Sequence, residues 1–182
     1  TCEDTIPRRG RTTTFVDPSD PSNFKKAVQE NTRAFFVESL GNPKLDVLDL
    51  KAISAEAKAS KVPFIVDNTV ASPYLLNPIQ FGADIVIHSL TKYITGNGTS
   101  LGGVIIDAGN FDWTNGKFPE FTEPSAGYHG LVYHEALGKA AFIAKVRIEG
   151  LRDYGAALSP FNAFQIIQGL ETLPIRIQRH SE

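Results

Sequence analysis

Three nearly unbroken runs of β-branched and aromatic residues constrain this chain more than any other feature: "AFFVE" at 34–38, "PFIVD" at 63–67 and "DIVIH" at 84–88. A strand with one wet face alternates apolar and polar residues. Runs that are apolar at every position belong to strands covered on both faces, as in the parallel sheets of α/β proteins. The intervening segments agree. Between the first two runs, "LDLKAISAEAKASK" places Leu50, Ile53 and Ala57 at helical spacing, with Asp49 as a capping residue at its start. Between the second and third, "SPYLLNPIQFG" is short and proline-rich, with room for only a brief helix. This βαβα rhythm predicts a parallel sheet with right-handed crossovers.

A fourth run, "GVIID" at 103–107, follows after only residues 89–102, a stretch holding Gly96, Gly98 and Gly102. No crossover helix fits there, so the fourth strand is expected to run antiparallel, giving a mixed, mostly parallel sheet. Residues 114–130, with Pro119, Pro124, Gly116, Gly127 and Gly130, read as a long irregular loop. From about 133 the pattern turns helical, with Ala140, Ile143, Val146 and Leu151 near one face. Ser159–Pro160 then forms an N-cap signature for a helix running to Pro174.

Bulk properties narrow the function classes. Of 182 residues 42% are hydrophobic and 21% charged, a balance that supports a buried core. The formal net charge is −2 and the Lys and Arg residues are scattered, which argues against a nucleic-acid partner. The longest apolar runs fall well short of the ~20 residues that cross a bilayer, so no membrane partner is expected. The single cysteine, Cys2, has no internal partner for a disulfide and points to a reducing, cytoplasmic setting.

If the first three strands are parallel, their C-terminal ends share one edge of the sheet, where open α/β folds bind ligands. The polar residues at those ends are Glu38 and Asn42, Asp67 and Asn68, then Ser89, Thr91 and Lys92. A carboxylate, an amine, hydroxyls and an amide on one rim suit an aldehyde cofactor that carries a ring nitrogen and a phosphate, namely pyridoxal 5′-phosphate. Such a cofactor needs a lysine, whose neutral form becomes more accessible when the strand exit desolvates it. It also needs an acid to keep the pyridine nitrogen protonated, so that the ring can take up electrons. Asp67 ends one strand and Lys92 follows the next, ~4.8 Å away across the sheet. Ser89 and Thr91 share a side if the strand continues that far, and both hydroxyls can donate to a phosphate.

On spacing alone the plainer alternative has the stronger claim: Asp67 and Lys92 form a partly solvated ion pair, worth roughly 0–1 kcal/mol. His88 reads as a core histidine with its hydrogen bonds satisfied. "GNGTSLG" misses the G-x-G-x-x-G spacing and leads into a strand rather than a helix, so it is no dinucleotide signature. His129, His134 and His180 show no metal-ligand spacing, and no G-x-S-x-G elbow is present.

The combination "ESLGNP", "VDNTVASPYLLNPIQFGADIVIHSLTKY" and "GTSLGGVIID" resembles the cysteine/methionine-metabolism family of pyridoxal-phosphate enzymes, the cystathionine γ-synthase-like group of fold type I. Within it, "GNFDW", "FPEFTEPSAGYHGLVY", "LRDYGAALSPFNAFQIIQGLETLPIR" and "RHSE" look most like the O-acetylhomoserine sulfhydrylase branch. The resemblance implies an α/β fold of the fold type I transferase kind, its sheet flanked by helices. It makes Lys92 the Schiff-base lysine and proton carrier, Asp67 the partner of the pyridine nitrogen, and Ser89 and Thr91 the phosphate ligands. Asn42 would touch the ring hydroxyl or the substrate carboxylate. The implied partners are an amino-acid substrate and sulfide or a thiol, in a homotetramer with shared active sites.

Residues 1–150 would be part of the large cofactor-binding domain, and 151–182 a helical lead into a C-terminal domain. Relatives read "GGHGTS" where this chain has "TGNGTS", so Asn97 is given no catalytic role. The family's phosphate loop, ring-stacking tyrosine and substrate-carboxylate arginine find no match here. The residues therefore read as the middle of a chain roughly twice as long, and as a lone piece they are expected to turn over little or nothing. The rival readings are a sister cystathionine γ-synthase or γ-lyase activity, or a non-catalytic fragment.

Overall fold

A computed structural model describes residues 2–182. Its elements in chain order are α1 (Ser22–Lys26), β1 (Phe35–Glu38), α2 (Leu50–Ala59), β2 (Phe64–Asp67), α3 (Ser72–Leu75), β3 (Ile85–Ser89) and β4 (Gly103–Asp107). There follow α4 (Pro119–Thr122), α5 (Tyr133–Leu137), α6 (Ala141–Lys145), α7 (Pro160–Glu171) and α8 (Leu173–Ser181). The strands form one sheet in the order β1-β2-β3-β4. The first three are parallel and β4 is antiparallel to β3, as the glycine-rich connection predicts.

Register follows from two-sided burial. Phe35, Val37, Phe64, Val66 and Val86 point to one face and pack with Leu50, Ile53 and Ala57 of α2. Asp49 caps α2 by accepting from the Ala52 amide at 3.0 Å. Ile65, Ile85 and Ile87 point to the other face, against Trp113, Phe118, Phe121, Tyr133 and Phe142. Continuous apolar runs arise because β2 and β3 are covered on both sides. Coverage of all three runs does not hold, however. β1 buries alternate residues only, and Phe36 is half exposed; Ile105 and Ile106 of β4 are exposed as well. Both are outer strands of the sheet among the described residues, which is why their outer faces stay open.

Two other expectations are corrected. The stretch 114–130 is not irregular throughout: it contains α4 and a 3-10 turn, Ala126–Tyr128. Phe118 and Phe121 order it by packing their rings against Trp113 at 5.1 and 4.5 Å. The long helix expected from 133 breaks at Gly138 (φ 51), which moves the buried face. Tyr133 and Ala141 are buried while Ala140 is exposed, and α6 widens into a π-helical segment, Val146–Arg152. The Ser159 cap is as expected, accepting from the Asn162 amide at 3.1 Å.

The third cluster matters most for the site. Ile94 packs with Ile166 of α7 and Leu173 and Ile177 of α8, and Leu90 and Tyr93 lie against them. The turn after β3 therefore rests on the α7–α8 arm.

Candidate active site

The strand ends are built by alternation. Asp67 lies two residues after Ile65, and Ser89 two after Ile87, so Asp67 and Ser89 point to the same face of the sheet. Ser39, Asn68 and His88 point to the other face and are buried. Asn68 is structural there: it accepts from the Ser39 hydroxyl at 2.7 Å and donates to the Ser72 and Leu76 carbonyls at 3.1 and 2.8 Å. These bonds tie the exit of β2 to α3.

Asp67 uses one oxygen, Oδ1, to accept from the Thr69 amide at 2.9 Å. Its Oδ2 has no hydrogen-bond partner among the described residues. Thr69 Oγ1 in turn accepts from the Ser89 amide at 2.8 Å, so Thr69 stitches the two strand ends together. β3 ends at Ser89, so Thr91 is not on a strand with it: Thr91 stands in the following turn, where Oγ1 accepts from the Gly102 amide at 3.1 Å. Lys92 is in the same turn, and its amine makes no ion pair or hydrogen bond among the described residues.

Hence Asp67 and Lys92 are not the ion pair that spacing alone favoured. Nor is Lys92 desolvated by these residues, since it is exposed. The burial expected at a strand exit is lost because the turn carries the lysine past the end of the sheet.

A hollow of about 590 Å³ opens beside this turn. It brings together Asn42, Thr91 and Lys92 with Thr69, Arg176 and His180. Asp67 and Ser89 do not line it but stand one hydrogen bond behind Thr69. Asn42 is exposed, its amide donating to Glu38 Oε2 at 2.8 Å. Asn97 accepts from Thr99 Oγ1 at 2.9 Å, a bond within its own loop.

A larger hollow, about 740 Å³, opens on the same sheet face nearer the start of the strands, over Ile65, Ile85 and Trp113. Burial and its bond to Glu149 push the Tyr133 phenol behind it up to about 12. No residue of the strand-exit set reaches it. Among the described residues no group of three His, Cys, Asp or Glu side chains is placed to hold a metal.

His88 departs from expectation. It is 4% exposed, yet Nδ1 has no hydrogen-bond partner among the described residues. Burial lowers its pKa, while the Asp67 charge and the Asn68 backbone pull the other way. Thr69, Arg176 and His180 escaped the sequence reading. Thr69 had a signal, its place beside the acid in "VDNT". Arg176 had none, because the backbone it touches at Tyr93 lies 83 residues earlier.

A free lysine amine and a carboxylate with one open oxygen, set at the C-terminal edge of a mostly parallel sheet, define the class: an open α/β protein with a strand-exit site equipped for an aldehyde cofactor. The whole span 1–182 matches the family described as Cys/Met metabolism PLP-dependent enzyme, and the chain belongs to that family. It is 58% identical to an O-acetyl-L-homoserine sulfhydrylase of Leptospira meyeri, over 97% of this chain and 42% of that protein. Its identity to the Corynebacterium glutamicum protein of the same name is 50%, over 98% and 42%. A Campylobacter jejuni crystal structure of a putative O-acetylhomoserine (thiol)-lyase, with a pyridoxyl-lysine monophosphate, superposes with a TM-score of 0.93. That structure is 40% identical, over 98% of this chain and 44% of its own. The chain thus spans well under half the length of the curated relatives it matches.

The residues present fit pyridoxal 5′-phosphate by donor chemistry. Lys92 offers an uncommitted amine, Asp67 an open carboxylate oxygen, and Ser89 a hydroxyl without a partner among the described residues.

Proposed function

We propose that these residues serve an O-acetylhomoserine sulfhydrylase, which replaces the acetate on Cγ of its amino-acid substrate with sulfide or a thiol. The homocysteine-type product keeps the substrate's amine and carboxylate, and acetate leaves. The chain spans 42% of its curated relatives, so the activity proposed is that of a protein carrying the remaining parts as well. The observation that carries the reading is the separation of Asp67 from Lys92: each keeps a free polar atom instead of neutralising the other. The identities with the two named sulfhydrylases support the choice of reaction.

When bound, pyridoxal 5′-phosphate supplies an aldehyde and a protonatable ring that takes up electrons from the substrate. Lys92 Nζ would tether the group and would be the base that carries a proton between the substrate's Cα and Cβ. Asp67 Oδ2 holds the ring nitrogen in its protonated form through a charge-assisted hydrogen bond. Ser89 and Thr91 hold the phosphate. Thr91 does so by turning its O–H away from the Gly102 carbonyl, a weak partner at 3.4 Å. Asn42, which lines the hollow, touches the ring hydroxyl or the substrate carboxylate.

The division into a cofactor-binding part, 1–150, and a helical lead, 151–182, belongs to the same proposal. So do the shared sites of a homotetramer and the cytoplasmic setting. The family resemblance supports the division and the tetramer, and the single cysteine supports the compartment; among the described residues no helix is long and apolar enough to cross a membrane.

Colour tests the reading. The purified protein supplied with pyridoxal 5′-phosphate turns yellow, and borohydride fixes the cofactor mass on the peptide containing Lys92. O-acetylhomoserine with sulfide outpaces O-succinylhomoserine with cysteine. A colourless protein indifferent to added cofactor overturns the reading, and faster turnover of the second pair transfers it to a cystathionine γ-synthase.

A further inference from the structure

The turn carrying Lys92 closes several of its own hydrogen bonds. The Ser89 carbonyl accepts from the Lys92 amide at 3.3 Å, and that of Lys92 from the Gly96 amide at 2.9 Å. The Leu90 carbonyl accepts from both the Thr95 amide and its hydroxyl, at 3.0 and 2.6 Å. The Tyr93 and Ile94 carbonyls receive no backbone donor among the described residues.

Both are met by one side chain from α8. Arg176 Nη1 donates to Tyr93 O at 2.7 Å, and Nη2 to Ile94 O at 3.2 Å. Nη2 also donates to Gly169 O at 2.7 Å, near the C-terminal end of α7, and Nε to Thr172 Oγ1 at 3.1 Å. A guanidinium has the rigid fork for this task and places positive charge where helix ends carry partial negative charge. The fit is close. A Cβ on Gly96 would sit 2.5 Å from the Arg176 guanidinium carbon, and the φ of +83° at Gly96 also favours glycine. Leu173, Arg176, Ile177 and His180 share one face of α8, with Leu173 and Ile177 buried against Ile94 and His180 edge-on to Tyr93 at 5.6 Å.

We propose that Arg176 is a positioning residue for Lys92, its guanidinium capping the Tyr93 and Ile94 carbonyls and so fixing the turn that presents the lysine amine to the hollow. Its four donated bonds, to the Tyr93, Ile94 and Gly169 carbonyls and to Thr172 Oγ1, all stay within the chain, so it acts through the turn. The inference rests on the role given to Lys92 above. Displacement of a reacting amine by about 1 Å costs on the order of 10²-fold in rate.

The test compares Arg176→Met, Arg176→Lys and Ile177→Ala in the cofactor-loaded protein. Arg176→Met is expected to lower kcat between about tenfold and 100-fold with KM little changed. It also moves the pH midpoint of the cofactor's visible absorbance, a property of the lysine's surroundings. Arg176→Lys, with a point charge in place of the fork, falls between Met and wild type. Ile177→Ala loosens the same helix without touching the cap, so it lowers the melting temperature but leaves the midpoint in place. The proposal is overturned if Arg176→Met keeps wild-type kcat and midpoint, or if Ile177→Ala moves the midpoint equally. Should Arg176→Met fail to fold, Arg176→Lys decides, and wild-type behaviour in every readout refutes the cap. A wild-type protein that never colours refutes instead the role of Lys92.

Discussion

Gly169 sets how closely the α7–α8 arm can approach the lysine turn, and replacing it with alanine brings two effects of opposite sign into competition. Alanine is the better helix former, worth up to about 1 kcal/mol inside a helix and less near its end, where Gly169 lies. Against this, the new Cβ would stand 2.7 Å from both the carbonyl carbon and Cα of Thr95, and closer still to its oxygen. These are backbone atoms and cannot rotate away. Ordinary contact begins at 3.4 Å, so α7 must retreat by about 1 Å, opening the cluster around Ile94 and Ile166. Overpacking of this kind costs about 1–3 kcal/mol, so steric overlap wins and Gly169→Ala is destabilised by about 1–2 kcal/mol. Gly150→Ala is the control: its Cβ would meet only Val146 Cγ1, at 3.9 Å, and it should be neutral or slightly stabilising. Urea unfolding followed by far-UV circular dichroism measures both. A Gly169→Ala protein as stable as its parent would show that the arm does not rest on Thr95 as described.

Asp67→Ala is expected to fold normally, because its only side-chain bond among the described residues is to the Thr69 amide, yet to lose most of its turnover; near-normal kcat would mean the acid is misplaced. His88 should make the protein acid-sensitive. Its folded-state pKa is lowered by burial, so the unfolded chain binds the proton more tightly; stability is full above about pH 6.5 and declines as pH falls below it. His88→Asn should flatten that decline in melting temperature between pH 7 and 5.5, and an unchanged slope would exonerate the histidine. Asp84 and Asp107 have the opposite sign. Desolvation raises both, so each weakens stability as pH rises from the ordinary carboxylate range through its folded value. Asp84→Asn, which keeps an acceptor for the Phe64 amide, should therefore cost less at pH 7 than at pH 4; an equal cost at both would refute the assignment. Asp49→Ala removes the α2 cap and should cost about 1 kcal/mol in urea unfolding.

The sequence by itself determined the parts governed by near neighbours. Periodicity located four strands to within a residue or so, the glycine-rich link set the reversed direction of β4, and Asp49 and Ser159 marked their helix starts. It also brought Asp67, Ser89, Thr91 and Lys92 to one edge, since parallel strands must expose their C-terminal ends together. Only the tertiary structure decided the rest. Whether Asp67 neutralises Lys92 depends on where the turn after Ser89 carries the lysine, and that turn is closed by Arg176 from a helix far along the chain. The buried face of the 133–152 segment likewise depended on aromatic packing around Trp113 after Gly138 had broken the register. Local rules act through the backbone over a few residues. Contacts between distant segments are selected by how surfaces fit once the sheet exists, and linear spacing carries little trace of them.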